Sequence, residues 1–150
     1  MNNVTAQAYE LVEQIFEKNP NRGGRAYMQQ LLKTTSKLKT KNQKAIALLH
    51  DVIKDSYIIE EDLISLGFVT EIVNGVTLLT KQNEESYDLY IKRIADSNDV
   101  DIIITKLALL ETKIDSYLGQ PSSDELTKKV SKYKRAYIIL EEKLQNLCLA

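Results

Sequence analysis

Toward the C-terminus, Leu126, Val130, Tyr133, Tyr137, Leu140, Leu144 and Leu147 recur at alternating steps of four and three residues. An α-helix places side chains at that spacing on one face, and an apolar stripe of that length must be covered by other elements. Ser122-Ser123-Asp124-Glu125, just upstream, supplies the hydroxyls and carboxylates that cap a helix N-terminus. The stripe is expected to pack on a core rather than on a partner chain, so the rest of the sequence must supply helices to meet it.

It does so in seven further segments. Val4, Ala8, Leu11, Val12, Ile15 and Phe16 mark a helix over residues 4–18, ended by Asn19-Pro20-Asn21-Arg22-Gly23-Gly24. Helices are predicted over 27–38, over 42–54 and, with an acidic first turn and a terminal Gly67, over 60–67. Ile72, Val73, Val76, Leu78 and Leu79 have the β-branching of a strand, but Thr70-Glu71 in front and the helical repeat favour a helix. A polar helix over 84–95 and a central one over 100–117, stopped by Gly119-Gln120-Pro121, complete the set. With 5 Gly and 2 Pro in 150 residues there is little material for the tight turns of a β-sandwich. The expectation is one all-α domain over residues 1–150, a bundle of about seven or eight helices.

The 20 basic and 21 acidic residues are mixed along the chain, for a net charge of -1. No global field draws such a chain onto long nucleic acid or an anionic membrane, so any basic site must be local. Cys148 has no intrachain partner, which fits a reducing compartment and rules out a disulfide framework. No stretch approaches the roughly 20 apolar residues of a membrane span, and Met1-Asn2-Asn3-Val4 does not open a signal peptide. A cytoplasmic location is expected, with no membrane partner.

The only histidine is followed by aspartate, in Ala47-Leu48-Leu49-His50-Asp51-Val52-Ile53-Lys54-Asp55. A lone His-Asp pair is compatible with a structural histidine near a helix end, because one imidazole does not complete a tight metal site. The surroundings narrow the reading. Gly24-Arg25-Ala26-Tyr27-Met28-Gln29-Gln30-Leu31 lies upstream, and Val76-Thr77-Leu78-Leu79-Thr80-Lys81 lies downstream. Glu85-Ser86-Tyr87-Asp88-Leu89-Tyr90-Ile91-Lys92-Arg93 and Lys106-Leu107-Ala108 follow in order. Together these resemble the HD-domain phosphohydrolases, in particular small RelA/SpoT-type (p)ppGpp hydrolases, over nearly the whole chain. The resemblance implies an HD-like helical fold with the former active site at the C-terminal end of the third helix.

It also implies a divalent cation, usually Mn²⁺, held by an early His, the His-Asp pair and a late Asp, which activates water for phosphate hydrolysis. In this sequence Gln30 corresponds to the early His, Leu109 to the late Asp, Lys113 to the Asn of the following motif and Lys54 to the Glu before Asp55. His50 and Asp51 remain from the metal set. Two ligands with a nearby ammonium should bind a divalent ion poorly, so no cofactor is expected. Lysine can nevertheless attract phosphate where a metal did, which separates capture from cleavage.

The reading is a catalytically degenerate domain that binds a small phosphorylated nucleotide-type ligand through Arg25, Tyr27, Gln30, His50, Asp51, Lys54, Asp55 and Lys113. Small size, the lack of an output domain and the lost catalytic residues point to sequestration, for example as a phage anti-defence sponge, or to sensing. Arg22 is a further candidate, and solvated surface charge is the alternative for Arg22, Arg25 and Lys113. Tyr27, Tyr87 and Tyr90 are candidates for base or phosphate contact, with core packing favoured for Tyr90. One alternative is an active Mn²⁺ hydrolase using His50, Asp51 and Asp55, with Glu111 or Asp115 as displaced ligands. Another is a helical protein-interaction module, and a homo-oligomer remains compatible with each.

Overall fold

Hydroxyl and carboxylate side chains set most of the helix starts. Thr40 Oγ1 accepts from the Gln43 amide at 3.1 Å while Gln43 Oε1 accepts from the Thr40 amide, a reciprocal capping box. Ser86, Asp99 and Ser123 each accept from the amide three residues on, of Leu89, Ile102 and Leu126, at 3.0–3.2 Å. A computed structural model describes residues 3–17 and 24–149, and the loop expected over 19–23 lies outside them.

Among the described residues the chain is all-helical. The helices are α1 (Asn3–Val12), continued by one π-helical turn (Glu13–Glu17), α2 (Gly24–Ser36), α3 (Lys41–Leu49) and α4 (Val52–Asp55). They continue with α5 (Glu60–Ser65), α6 (Thr70–Leu78), α7 (Tyr87–Asp96), α8 (Val100–Leu118) and α9 (Asp124–Leu149). The expected count holds when the single turn α4 is taken with α3. The segment expected to be a strand or a helix around Val73 is helix α6, with Ile72, Val73 and Val76 buried.

Helix α2 begins at Gly24, three residues before the expected start, and three other boundaries differ from the sequence reading, each for a local reason. The helix expected over 42–54 breaks at His50-Asp51, where Asp51 has φ -99° and ψ 0°. The helix expected from residue 84 starts only at Tyr87, because Ser86 is its N-cap and Glu85 is drawn to Arg93. The helix expected to reach Leu38 ends at Ser36, where the hydroxyls of Thr35 and Ser36 bond the carbonyls three residues back and compete with continued helix.

Central helix α8 packs against α2, α3, α7 and α9, and α3 in turn packs against α1, α2 and α6. Gly75 allows the last of these approaches, since a Cβ there would meet Ile46 Cδ1 at 2.6 Å. The buried apolar side chains form one cluster drawn from α1 to α9. The α9 stripe does face that core, with Tyr133, Ala136 and Leu140 buried and Leu126, Val130, Tyr137, Leu144 and Leu147 half-buried. No described helix is long and apolar enough to cross a membrane, and Cys148 is exposed near the end of α9.

Leu140 has no exposed surface, whereas its neighbour Ile139 keeps 48%. Leu140→Ala is therefore expected to lower unfolding free energy by about 2–5 kcal/mol. Ile139→Ala should change it by about 0.5 kcal/mol or less. Urea unfolding of the two variants measures whether α9 is part of the cooperative core.

Candidate functional site

Where α3 stops, its last carbonyls need partners, and His50 supplies one from its own side chain. Its Nδ1 donates to the Ala47 carbonyl at 2.7 Å. A carbonyl only accepts, so this bond places a proton on Nδ1 and turns Nε2 the other way. Nε2 lies 3.1 Å from Asp51 Oδ2, and the same oxygen accepts the Tyr27 hydroxyl at 2.8 Å. Burial alone would raise the Asp51 pKa, but the charge and hydrogen bond of His50, the Tyr27 hydroxyl and Lys106 hold it well below the usual carboxylate range. Tyr27 is shifted the opposite way, by burial and then by the Asp51 charge, and remains a neutral donor. Its ring packs against Phe16, with centroids 4.9 Å apart. Both nitrogens of His50 are thus turned to protein oxygens.

This cluster forms one end of a cavity of about 350 Å³, within the size range of small-ligand pockets. Helices α2, α7, α8 and α9, the α3–α4 break and the residues after α6 enclose it. Five lysines line it, Lys54, Lys81, Lys106, Lys113 and Lys132, against the single carboxylate of Asp51. On a chain of net charge -1 this is a strong local excess of positive charge. Its effect is visible in Lys106, whose pKa is pulled down to about 8 by burial and by the neighbouring Lys113, despite the opposing charge of Asp51. Tyr133 reports the same field. Burial would raise its hydroxyl, yet Lys113, Lys132 and Lys106 bring it below the usual phenol value.

The wall after α6 is held by two side chains of α7. Arg93 donates to the carbonyls of Leu78 and Thr80 at 3.0 and 3.1 Å, and its Nε and Nη2 grip both carboxylate oxygens of Glu85 at 2.8 and 2.9 Å. Tyr90 donates its hydroxyl to the Leu79 carbonyl at 2.6 Å. The Arg93 hydrogen bonds lower Glu85 to about 2, so the clamp persists through the neutral range. These bonds cap the C-terminal carbonyls of α6 and fix Leu79, Thr80 and Lys81 at the cavity. On the opposite side, Thr34 donates to Thr112 at 2.9 Å and joins α2 to α8.

Of the residues expected from sequence, Tyr27, Gln30, His50, Asp51, Lys54 and Lys113 meet on this cavity, and Leu109 lies on the same wall. Arg25 and Asp55 are exposed and do not line it, although the Asp55 charge still bears on the Tyr27 hydroxyl. Arg22 lies outside the described residues. Glu111 and Asp115, considered as displaced metal ligands, sit on another face of α8 and pair with Lys37 at 3.1 and 3.6 Å. Tyr90 is buried, as expected of a packing residue, yet its ring edge still reaches the cavity. The sequence reading missed Lys81, Lys106 and Lys132 as site residues. Lys106 carried a signal, as the one charged residue in the stretch 102–110, flanked by the buried Thr105 and Leu107.

Among the described residues no three His, Cys, Asp or Glu side chains converge as a metal site. Gln30, an amide, and Leu109, a hydrocarbon, line the same cavity as His50 and Asp51. That donor set does not fit a tightly held divalent cation.

The architecture is that of an HD-domain-like helical fold. In three dimensions the chain is similar to a solved structure described as a metazoan orthologue of SpoT that hydrolyses ppGpp and plays a role in starvation responses. The two share a TM-score of 0.64 over 98% of this chain and 94% of that one, at 16% sequence identity. No protein-family model and no curated protein matches the chain.

The depressed pKa of Lys106 has a stability consequence with a definite sign. The unfolded side chain holds its proton up to its ordinary value near 10.5, whereas the folded one releases it near 8. Below pH 8 the folded state carries the full penalty of a crowded charge, and the penalty fades as pH rises from 8 toward 10.5. Lys106→Met is therefore expected to be more stable than wild type at pH 7, with the difference shrinking above pH 8. Thermal unfolding of both proteins from pH 7 to 10 measures it.

Proposed function

We propose that this chain is a capture domain, which binds a nucleotide or nucleotide-derived phosphate signal in an HD-like cavity and releases it uncleaved. The observation that carries the reading is the composition of the cavity wall: five lysines, one carboxylate, and an amide and a leucine beside the His50–Asp51 pair. Ammonium groups attract and hold phosphate oxygens but do not generate a hydroxide nucleophile as a bound metal does. His50 adds to this, because its two nitrogens are committed to Ala47 and Asp51 rather than presented to a ligand. The similar metazoan structure, described as hydrolysing ppGpp, supports a nucleotide-sized, multiply phosphorylated ligand. Sequestration of such a signal, as an anti-defence sponge would perform it, is the narrower role we favour.

The mechanism needs no reaction step. Lys54, Lys81, Lys106, Lys113 and Lys132 draw the anion in, and charge-assisted hydrogen bonds of about 1.5–3 kcal/mol each hold it. Asp51, kept ionised, repels phosphate from the end that it shares with His50 and Tyr27 and leaves the acceptor-rich end of the cavity to donors on the ligand.

Four outcomes test this. Phosphate-bearing nucleotides should raise the melting temperature, by the equivalent of about 2.7 kcal/mol at one hundred times the dissociation constant. They should also be recovered chemically unchanged, by mass spectrometry, after long incubation with Mn²⁺. Metal-dependent release of phosphate or pyrophosphate would establish the hydrolase instead, and no thermal shift across a broad nucleotide panel would favour an interaction module. Elemental analysis of the purified protein should find no stoichiometric Mn²⁺, Fe²⁺ or Zn²⁺; about one metal per chain, lost in His50→Ala, would overturn metal-free capture. Finally, Lys54→Glu should weaken nucleotide binding about ten- to hundredfold by calorimetry, because it replaces a charge-assisted contact with repulsion. Equal affinities would show that Lys54, exposed at the cavity rim, faces only solvent.

A further inference from the structure

The capture reading leaves open which part of the ligand each end of the cavity receives, and the aromatic wall of α7, α8 and α9 decides it. Tyr87, Tyr90 and Tyr133 lie on the cavity, and bare rings of this kind would be stacking platforms for a nucleobase. These rings are not bare. Lys106 Nζ lies 4.9 Å from the Tyr90 centroid, and Lys113 Nζ lies 4.8 Å from that of Tyr133. Lys132 Nζ is shared between Tyr87, at 4.6 Å, and Tyr133, at 5.0 Å. Tyr133 also stacks with Tyr117, at 6.0 Å and 7° between planes. The rings therefore act as seats that hold ammonium groups in place, a cation–π arrangement, and their faces are taken.

Two further observations show what the wall lacks. None of Lys106, Lys113 and Lys132 forms a salt bridge among the described residues, whereas Lys37, Lys92 and Lys129 each have a carboxylate partner. The Tyr87 hydroxyl is buried and has no hydrogen-bond partner among the described residues. A buried donor left unmet is rare and costly. An anion with several closely spaced oxygens would supply the counter-charge that the three ammonium groups lack, and the Tyr87 hydroxyl would join it by turning into the cavity.

We propose that Lys106, Lys113 and Lys132, seated on Tyr87, Tyr90 and Tyr133, form a polyphosphate subsite that takes a chain of two or more linked phosphoryl groups by charge, without reading a base. This deepens the capture reading and rests on it for the identity of the rest of the ligand, but the subsite itself requires only the phosphate chain. The base or sugar then lies toward Tyr27, Gln30 and Thr34 at the α2 side.

The test is calorimetric titration of inorganic tripolyphosphate and of orthophosphate into wild type, Lys113→Gln, Lys132→Gln and, as a control on the exposed side of α9, Lys134→Gln. Circular dichroism verifies the fold of each variant. One tripolyphosphate per chain is expected, bound at least about tenfold more tightly than orthophosphate and progressively more weakly as salt is raised. Lys113→Gln and Lys132→Gln should each weaken it about tenfold or more, and Lys134→Gln should leave it unchanged. Tripolyphosphate bound no better than orthophosphate, or bound equally by all four proteins, would overturn the subsite. Nucleotide binding without tripolyphosphate binding would leave capture standing and remove the subsite. Tripolyphosphate binding with the stated lysine dependence, but no binding of any nucleotide, would do the reverse.

Discussion

Everything around the cavity depends on α8 serving two environments from one helix. Its side chains at Ile102, Ile103, Leu107, Ala108 and Leu110 are buried in the core, so the helix cannot rotate or slide without exposing them. That anchoring fixes the directions of Lys106, Leu109 and Lys113, which sit at i, i+3 and i+7 and so share one face. The core thereby forces two lysines and a leucine onto the cavity wall. Helices α2, α3, α7 and α9 pack around α8 and bring the remaining wall to the same place.

The arrangement runs against stability at that point. Three lysines crowd one aromatic cluster without carboxylate partners, and Lys106 loses part of its affinity for its proton in consequence. Cation–π contacts of roughly 0.5–2 kcal/mol each offset some of the repulsion but do not cancel the charge. A break of the ordinary rules that is concentrated in one cavity, while the rest of the core is regular, is the pattern expected of a binding site. The fold pins it from both sides, through the Arg93–Glu85 clamp behind Lys81 and the Tyr27–Asp51–His50 cluster opposite.

Much of this was legible from residues alone, and the exceptions have identifiable causes. The α9 stripe, the run from Val100 and the capping run from Ser122 to Glu125 give local signals, because helix periodicity and capping act over three to seven residues. The break at His50-Asp51 was not visible, since no Gly or Pro interrupts Ala47 to Lys54 and the bond from His50 back to Ala47 forms only in the folded turn. Glu85 reads as an acidic helix start until Arg93, eight residues on, takes it as a partner. Asp55 and Arg25 were expected at the site from the motif segments to which they belong, and in the structure both are exposed and lie outside the lining of the cavity.

The sequence by itself determined that the chain is helical and that its charge is balanced. Those are properties of residue identity and short-range spacing. Only the tertiary structure decided that Lys81, Lys106 and Lys132 join Lys54 and Lys113 around one cavity, and that Glu111 and Asp115 do not. The physical reason is that charge excess in a cavity is a sum over side chains from separate helices. The positions of those helices are set by the burial of apolar faces rather than by any signal in the charged residues themselves.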